Sequence, residues 1–124
     1  MPAYDSDRFF PAAAVATVSV RNLDSDAVVA AVDMVIDSGA DISALPKAVV
    51  ETLGLPYTDT SFEIMAYDNS LRTCQSVQAE VVFLRGKFKG QFVVVDQEVG
   101  ILGRNILNHF VVTLDGPRLT WNVR

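Results

Sequence analysis

Three small polar residues, Asp37, Ser38 and Gly39, follow an apolar run directly and are of types that suit chemistry. A carboxylate acts as a general acid or base, and a serine hydroxyl can hold a neighbouring loop by a hydrogen bond. Gly39 and Ala40 have little or no side chain, so a second backbone or a ligand can approach closely. Asp, Ser and Gly also occur together in ordinary turns, so the triplet alone leaves a surface turn open. Its position at the end of an apolar strand favours a site in which Asp37 acts on a bound molecule.

The single Cys and the single His restrict the other kinds of chemistry. Cys74 has no partner for a disulfide within the chain, which favours a reducing compartment, and we expect a cytoplasmic protein. A zinc site usually needs several Cys and His ligands, and no calcium-loop spacing is present, so we expect no metal and no cofactor. His109 has no nucleophile motif to serve, so we assign it to the surface or to an interface.

The composition predicts one acidic, globular domain. The chain has 124 residues, of which 50% are hydrophobic and 20% are charged, and this excludes a disordered protein. The net charge is −5 and no cluster of Lys and Arg interrupts the acidic balance, so we expect no nucleic-acid partner. No apolar run approaches the ~18 residues of a membrane span, and the N-terminus is acidic where a signal peptide would be basic. We therefore expect no membrane partner.

The apolar pattern predicts a chain made mostly of strands. Residues 14–21 alternate with period two, which predicts a half-buried strand. Residues 27–36 are apolar on nearly both faces, which predicts a strand in the middle of the molecule. Pro46 and Gly54 mark the beginning and the end of a helix of about two turns.

The rest of the chain is predicted to continue this pattern. Further strands are expected over residues 62–66, 73–84, 91–96, 111–114 and 119–123. A basic turn over residues 85–90 precedes the third of these strands, and the last two pair across residues 115–116. Residues 103–109 are predicted to form a second short helix. Residues 1–12 are predicted to be a flexible arm, and residues 13–124 the domain itself.

Two segments of the chain resemble each other, and both resemble a known family. Val35-Ile-Asp-Ser-Gly39 and Gly100-Ile-Leu-Gly-Arg104 each follow a valine-rich strand and precede a predicted helix, as a domain folded from two similar halves would show. Met34-Val-Ile-Asp-Ser-Gly-Ala-Asp41 resembles the active-site loop Asp-Ser/Thr-Gly-Ala-Asp of the retropepsin-like aspartic proteases. Gly100-Ile-Leu-Gly-Arg-Asn-Ile-Leu107 resembles the second signature of that family. The resemblance covers roughly residues 14–124.

The resemblance implies an all-β fold, a closed β-barrel or sandwich with a flap hairpin and one or two short helices, that works as a homodimer. Each chain would supply one catalytic carboxylate, Asp37, with Ser38, Gly39 and Ala40 supporting its loop. Two carboxylates a few ångströms apart cannot both ionise, so the pair shares one proton. The charged member takes a proton from the attacking water while the protonated member hydrogen-bonds the peptide carbonyl. The implied activity is that of an aspartic endopeptidase on a peptide or protein substrate.

The resemblance alone suggests roles for several other residues. Asp41 and Arg104 match positions that imply an ion pair between the active-site loop and the second helix, with Asp41 also contacting substrate backbone. Two unrelated surface charges are the alternative. Asn105 stands where the family has Asp or Asn, and we expect it to be structural. The implied flap tip is Ala66, Tyr67, Asp68 and Asn69, and it lacks the glycine-rich pattern of viral relatives.

Two further readings of the chain stay open. The same dimer is the basis of a non-catalytic module for dimerisation or peptide binding, and an unrelated all-β binding domain is a third possibility. Residues 119–124 are apolar and β-prone, so we expect them to join the two subunits. The bond between Phe10 and Pro11 is a candidate for self-processing, although an arm that simply packs on the domain is the alternative.

Overall fold

A computed structural model describes residues 2–65 and 68–124 of the protein. The described residues form ten strands and two short helices. In chain order these are β1 (Tyr4–Asp5), β2 (Ala13–Arg21), β3 (Val28–Ile36), β4 (Ala44–Pro46), α1 (Lys47–Leu53), β5 (Tyr57–Met65), β6 (Leu71–Phe83), β7 (Gly86–Val95), β8 (Gly100–Leu102), α2 (Arg104–Leu107), β9 (Val112–Asp115) and β10 (Thr120–Val123).

Six strands close into a barrel around the hydrophobic core. They are hydrogen-bonded in the order β2, β3, β8, β4, β7 and β6, and β2 also pairs with β6, which completes the ring. Each of these strands therefore has a neighbour on both sides for at least part of its length. β5 pairs with β6 outside the ring, and β1 pairs with the start of β2. The all-β fold class with few short helices is confirmed.

The two strands that begin the domain differ in burial. β2 alternates as predicted, with Ala16, Val18 and Val20 buried inside the barrel. The prediction that residues 27–36 lie wholly in the middle of the molecule is wrong for the first half of β3, where Val28 is exposed. Burial alternates along the second half, where Val32 and Met34 are buried and Asp33 and Val35 are partly exposed, so one face of β3 points outwards.

The hairpin between β6 and β7 corrects another prediction. The turn occupies residues 84–85, because the ladder already begins at the pair of Phe83 and Gly86. The predicted basic turn over residues 85–90 is therefore wrong. Lys87 and Lys89 are exposed on β7, while Phe88 between them packs against the core. This is the period-two alternation of a strand.

Both predicted helices are present. α1 buries Val50 and Leu53 and ends at Gly54, whose φ of 58° is left-handed and favours glycine. The Gly54 N–H donates to the carbonyl of Glu51, which satisfies a helix-end acceptor. α2 is shorter than predicted, with a single turn from Arg104.

The C-terminal strands β9 and β10 form the predicted antiparallel pair. On the other side of β10, the N–H of Trp121 donates to the carbonyl of Pro2 at 3.0 Å, and the N–H of Tyr4 donates to Leu119 at 2.8 Å. The indole of Trp121 is buried, and its Nε1–H donates to the carbonyl of Val15. β10 therefore lies between β9 and the start of the chain, so both of its edges are used within one subunit.

The first residues of the chain contact the domain. β1 pairs with β2, and Arg8 forms ion pairs with Asp5 at 2.6 Å and with Asp33 on β3 at 2.8 Å. Residues 4–8 are thus attached at several points and are not a detached arm. A domain boundary at residue 12 stays a prediction.

Candidate active site

The two sequence motifs lie side by side because their strands are paired in parallel. Met34 on β3 is opposite Gly100 on β8, and Ile36 is opposite Leu102. The N–H of Asp37 donates to the carbonyl of Leu102 at 3.0 Å, so the ladder continues to the first residue of the loop. The similarity between the two segments thus corresponds to two neighbouring strands that end together.

The loop that carries Asp37 is shaped by its own backbone. The N–H of Gly39 donates to Oδ1 of Asp37 at 2.9 Å, and the N–H of Ala40 donates to the carbonyl of Asp37 at 3.2 Å. Asp37 is half-buried, whereas Ser38 and Gly39 are exposed. One carboxylate oxygen is therefore held by the loop, and Oδ2 has no hydrogen bond to any described residue.

Arg104 ties this loop to the second helix, although not by the predicted ion pair. Its Nη1 donates to the carbonyl of Ser38 at 2.7 Å, and its N–H donates to the carbonyl of Ala40 at 2.8 Å. The predicted contact between Asp41 and Arg104 is not among the ion pairs of the residues that the structure describes. The guanidinium binds the loop backbone instead, because the backbone bond to Ala40 places the side chain beside Ser38. Asp41 is exposed and lines the same groove as Arg104.

Gly103 is packed against the loop more closely than any side chain would permit. A Cβ at this position would lie 2.9 Å from the carbonyl oxygen of Ala40 and 2.9 Å from the carbonyl carbon of Ile42. Both atoms belong to the backbone, which cannot move aside as a flexible side chain does. The glycine therefore lets the second motif support the first at van der Waals distance.

Ser43 is a supporting residue that the sequence analysis missed. It is buried, and its N–H and hydroxyl both donate to Oδ1 of Asn105, at 3.0 and 2.7 Å. Its Oγ accepts the N–H of Gly103 at 2.9 Å. These bonds join the strand that follows the loop to the start of α2. The structural role expected of Asn105 is confirmed, but nothing in the sequence distinguishes Ser43 from a turn serine.

A groove of about 770 Å³ opens beside Asp37, a size that suits a bound ligand. One side is formed by the loop with Asp37, Gly39 and Asp41, and by Arg104. The opposite side is formed by the hairpin of β5 and β6. The hairpin contributes Glu63, Ile64, Met65, Arg72 and Cys74, and the barrel contributes Val93, Val95 and Ile101. The sequence analysis missed these wall residues, whose only signal is their alternation along predicted strands.

The tip of this hairpin is the implied flap. Ala66 and Tyr67 lie outside the described residues. Asp68 Oδ1 accepts the hydroxyl of Ser70 at 2.6 Å and its N–H at 3.0 Å, and these hydrogen bonds hold the pKa of Asp68 below its usual value. Asn69 takes a left-handed φ of 66°, which Asn tolerates. The turn thus relies on polar side chains where viral relatives have glycine.

Residues 2–65 and 68–124 contain neither a cluster of metal ligands nor a helix that could span a membrane. No three His, Cys, Asp or Glu residues stand together as metal ligands would in this part of the chain. None of its helices is long and apolar enough to cross a membrane.

Comparison with known proteins identifies the family. A sequence profile described as aspartyl protease matches residues 15–106, which include both Asp37 and Arg104. The chain therefore belongs to the aspartyl protease family. A search of curated proteins finds no match.

Solved structures place the fold in the retropepsin-like group of that family. The chain is similar to EIAV protease in complex with the inhibitor HBY-793, with a TM-score of 0.57 and 22% identity over 78% of this chain and 86% of that chain. It is also similar to a retropepsin-like aspartic protease from Rickettsia conorii, with a TM-score of 0.51 and 24% identity over 82% of this chain and 86% of that chain. The retropepsin-like fold that the motifs implied is confirmed.

Proposed function

We propose that the protein is an aspartic endopeptidase whose active site is made by two copies of the chain, each contributing Asp37. The observation that carries the proposal is the position of Asp37, at the end of a core strand and open to a groove, with one oxygen held by the N–H of Gly39. The aspartyl protease family and the retropepsin-like fold support it.

Paired carboxylates explain why two copies are needed. When the Asp37 side chains of two copies face each other, only one of them is ionised, because the second charge is strongly disfavoured at this distance. The ionised carboxylate removes a proton from a water molecule that attacks the peptide carbonyl carbon. The protonated carboxylate donates to the carbonyl oxygen, and a proton then passes to the leaving amine. The Gly39 N–H fixes the orientation of the carboxylate throughout.

The groove gives the expected class of substrate. A peptide lying between the Asp37 loop and the β5–β6 hairpin would be extended, as in other cases where a peptide adds to strands. Ile64, Met65, Val93 and Ile101 make much of the wall apolar. We therefore expect apolar side chains on either side of the cleaved bond, with Arg72 and Glu63 near the ends of the hairpin.

Replacement of Asp37 by Asn tests the mechanism. Because each subunit carries the change, Asp37→Asn removes both carboxylates, and peptide cleavage should fall by at least ~10³-fold while the fold is retained. Cleavage is measured by mass spectrometry on a peptide library, with and without a statine-type inhibitor. Asp59→Asn, on exposed β5 away from the groove, is the matched control and should keep full activity.

The outcomes separate the candidate functions. An Asp37→Asn protein that cleaves at the wild-type rate would refute the aspartic mechanism. Wild-type protein that binds library peptides and leaves them uncut would identify a non-catalytic peptide-binding module, for which the flap tip without glycine is the supporting feature.

A further inference from the structure

A second cavity, of about 450 Å³, adjoins the groove where the β5–β6 hairpin leaves the barrel. The ladder between β6 and β7 runs from the pair of Phe83 and Gly86 to the pair of Ser76 and Val93, and it ends there. Beyond this point β6 continues beside β5, whereas β7 continues beside β4 as far as Val95. The two strands therefore diverge, and the cavity between them is called the side pocket below.

The side pocket is continuous with the groove that contains Asp37. The two cavities share four lining residues, which are Arg72, Cys74, Val95 and Gln97. A peptide that lies in the groove can therefore extend into the side pocket without crossing a wall.

The side pocket lies some distance along the groove from the Asp37 loop. Ala44 lines the groove and is paired with Ile101, whereas Lys47, three residues further along the chain, lines the side pocket. Strand residues advance by about 3.3 Å each, so this step adds about 10 Å. An extended peptide covers that length in about three residues. The peptide residue that enters the side pocket is therefore three or more positions from the cleaved bond.

The side pocket has an excess of positive charge in a protein whose net charge is −5. Lys47, at the start of α1, and Arg72, on β6, both line it, and both are exposed. Asp96 is the one acidic residue among its described lining residues. Within residues 2–65 and 68–124, neither Lys47 nor Arg72 takes part in an ion pair. Both charges are thus available to a ligand.

The charges along the groove favour an acidic ligand group at this end. The planar guanidinium of Arg72 can bind a carboxylate through two parallel hydrogen bonds, and the ammonium of Lys47 adds a second positive charge. The groove beside the Asp37 loop contains the acidic residues Asp41 and Glu63, which do not line the side pocket. An acidic residue of a peptide is therefore repelled near the cleaved bond and attracted further along.

We propose that the side pocket binds an acidic side chain of the peptide substrate, three or more positions from the cleaved bond, with Arg72 as its main partner and Lys47 as the second. The inference rests on the proposed function, because the ligand is the substrate of that site. It adds an acidic preference at a distance to the apolar preference expected beside the cleaved bond.

Peptide libraries with one fixed residue test the inference. Libraries with Glu fixed at each position in turn are compared with libraries that have Gln there, which has a similar size and no charge. Mass spectrometry gives the cleaved bond and the rate. When the fixed residue is three or more positions from that bond, wild-type kcat/KM should be roughly tenfold higher for Glu at the preferred position. The preference should decrease as salt is added, because the side pocket is open to solvent.

Substitutions identify the residues responsible. Arg72→Gln and Lys47→Gln should each lower the ratio of kcat/KM for Glu to that for Gln, and Arg72→Gln should lower it more. Because both peptides are measured on the same variant, a general loss of activity cancels from the ratio. Arg85→Gln and Lys87→Gln are the matched controls, since both residues are exposed at the other end of the β6–β7 hairpin, and they should keep the wild-type ratio. Arg72→Glu should transfer the preference to peptides with Lys at the same position.

Failure here and failure of the proposed function are distinguishable. If the wild type cleaves peptides with equal kcat/KM for Glu and Gln at all these positions, or if Arg72→Gln keeps the ratio, the inference is overturned and the enzyme is retained. If no peptide is cleaved, binding of the same libraries with a fluorescent label is measured by anisotropy. Tighter binding of Glu libraries that Arg72→Gln abolishes retains the side pocket and refutes the enzyme, whereas equal binding of Glu and Gln libraries overturns both.

Discussion

Replacement of Gly103 by Ala isolates the contact between the two motifs. Gly103 has φ −96° and ψ −175°, which any residue adopts, so the substitution introduces no backbone strain. The added methyl group would lie 2.9 Å from the Ala40 oxygen, where ordinary contacts begin at 3.4 Å. The loop and α2 must therefore separate by roughly half an ångström, a displacement of the kind that overpacking forces on a filled interior.

This displacement should affect stability and catalysis together. Overpacking of a filled interior costs about 1–3 kcal/mol in the free energy of unfolding, measured by urea denaturation. Because the Arg104 N–H bonds to Ala40 in the same loop, Asp37 should move with it. Misplacement by about 1 Å reduces rates by ~10²-fold, so we expect kcat for peptide cleavage to fall at least ~10-fold in Gly103→Ala.

Gly116→Ala is the control for this experiment. A Cβ at Gly116, in the turn after β9, would meet no atom within 4 Å. Its stability and activity should stay close to those of the wild type. If Gly103→Ala matches this control in both measurements, the close contact does not position the loop and the reasoning is refuted.

Three other predictions concern the surroundings of the site. Ser43→Ala leaves the N–H of Gly103 without its acceptor, so the free energy of unfolding should fall by about 1–3 kcal/mol in urea; an unchanged midpoint would contradict this. The hydrogen bond from Arg21 lowers the pKa of Glu80 below its usual 4.5. The ionised carboxylate therefore stabilises the fold fully above pH 4.5, and this contribution is lost as the pH falls through the lowered pKa. Glu80→Gln should therefore flatten the loss of stability as the pH falls below about 4.5, and an equally steep loss would show that another group is responsible. Intact-mass measurement of long-incubated wild-type and Asp37→Asn protein should give full-length chains in both, because β1 and the ion pairs of Arg8 hold the start of the chain. Loss of the first ten residues from the active protein alone would establish cleavage after Phe10.

Local signals were enough to predict that Asp37 lies at the end of a core strand. Asp37 follows an apolar run and precedes small residues, and both features can be read from the adjacent positions of the sequence. The Gly54 helix end and the alternation of β2 were predictable for the same reason, since dihedral preference and side-chain period are local properties. The family resemblance added the partner motif at Gly103.

The turn at residues 84–85 was misplaced for a local reason, but the other wrong or missing predictions depended on contacts between distant parts of the chain. The exposure of Val28 depends on whether another element packs on that face of β3, which no pattern within β3 contains. The partner of Arg104 is a backbone carbonyl, and a charged residue in sequence indicates only a preference for carboxylates. Ser43 matters because the fold places Asn105 and Gly103 beside it, and serine is common in every turn.

The parallel pairing of β3 with β8 also determines when the site can form during folding. Arg104 and Ser38, which it bonds, are separated by 66 positions, and Asp37 takes its backbone partner from Leu102. Contacts of such long range form late, because the intervening chain must first be closed into a loop. A nascent chain that has been synthesised only to the end of β7 already contains Asp37 but has nothing to order its loop. Under the proposed function, a nascent chain of this length therefore lacks the contacts that order Asp37 and is inactive.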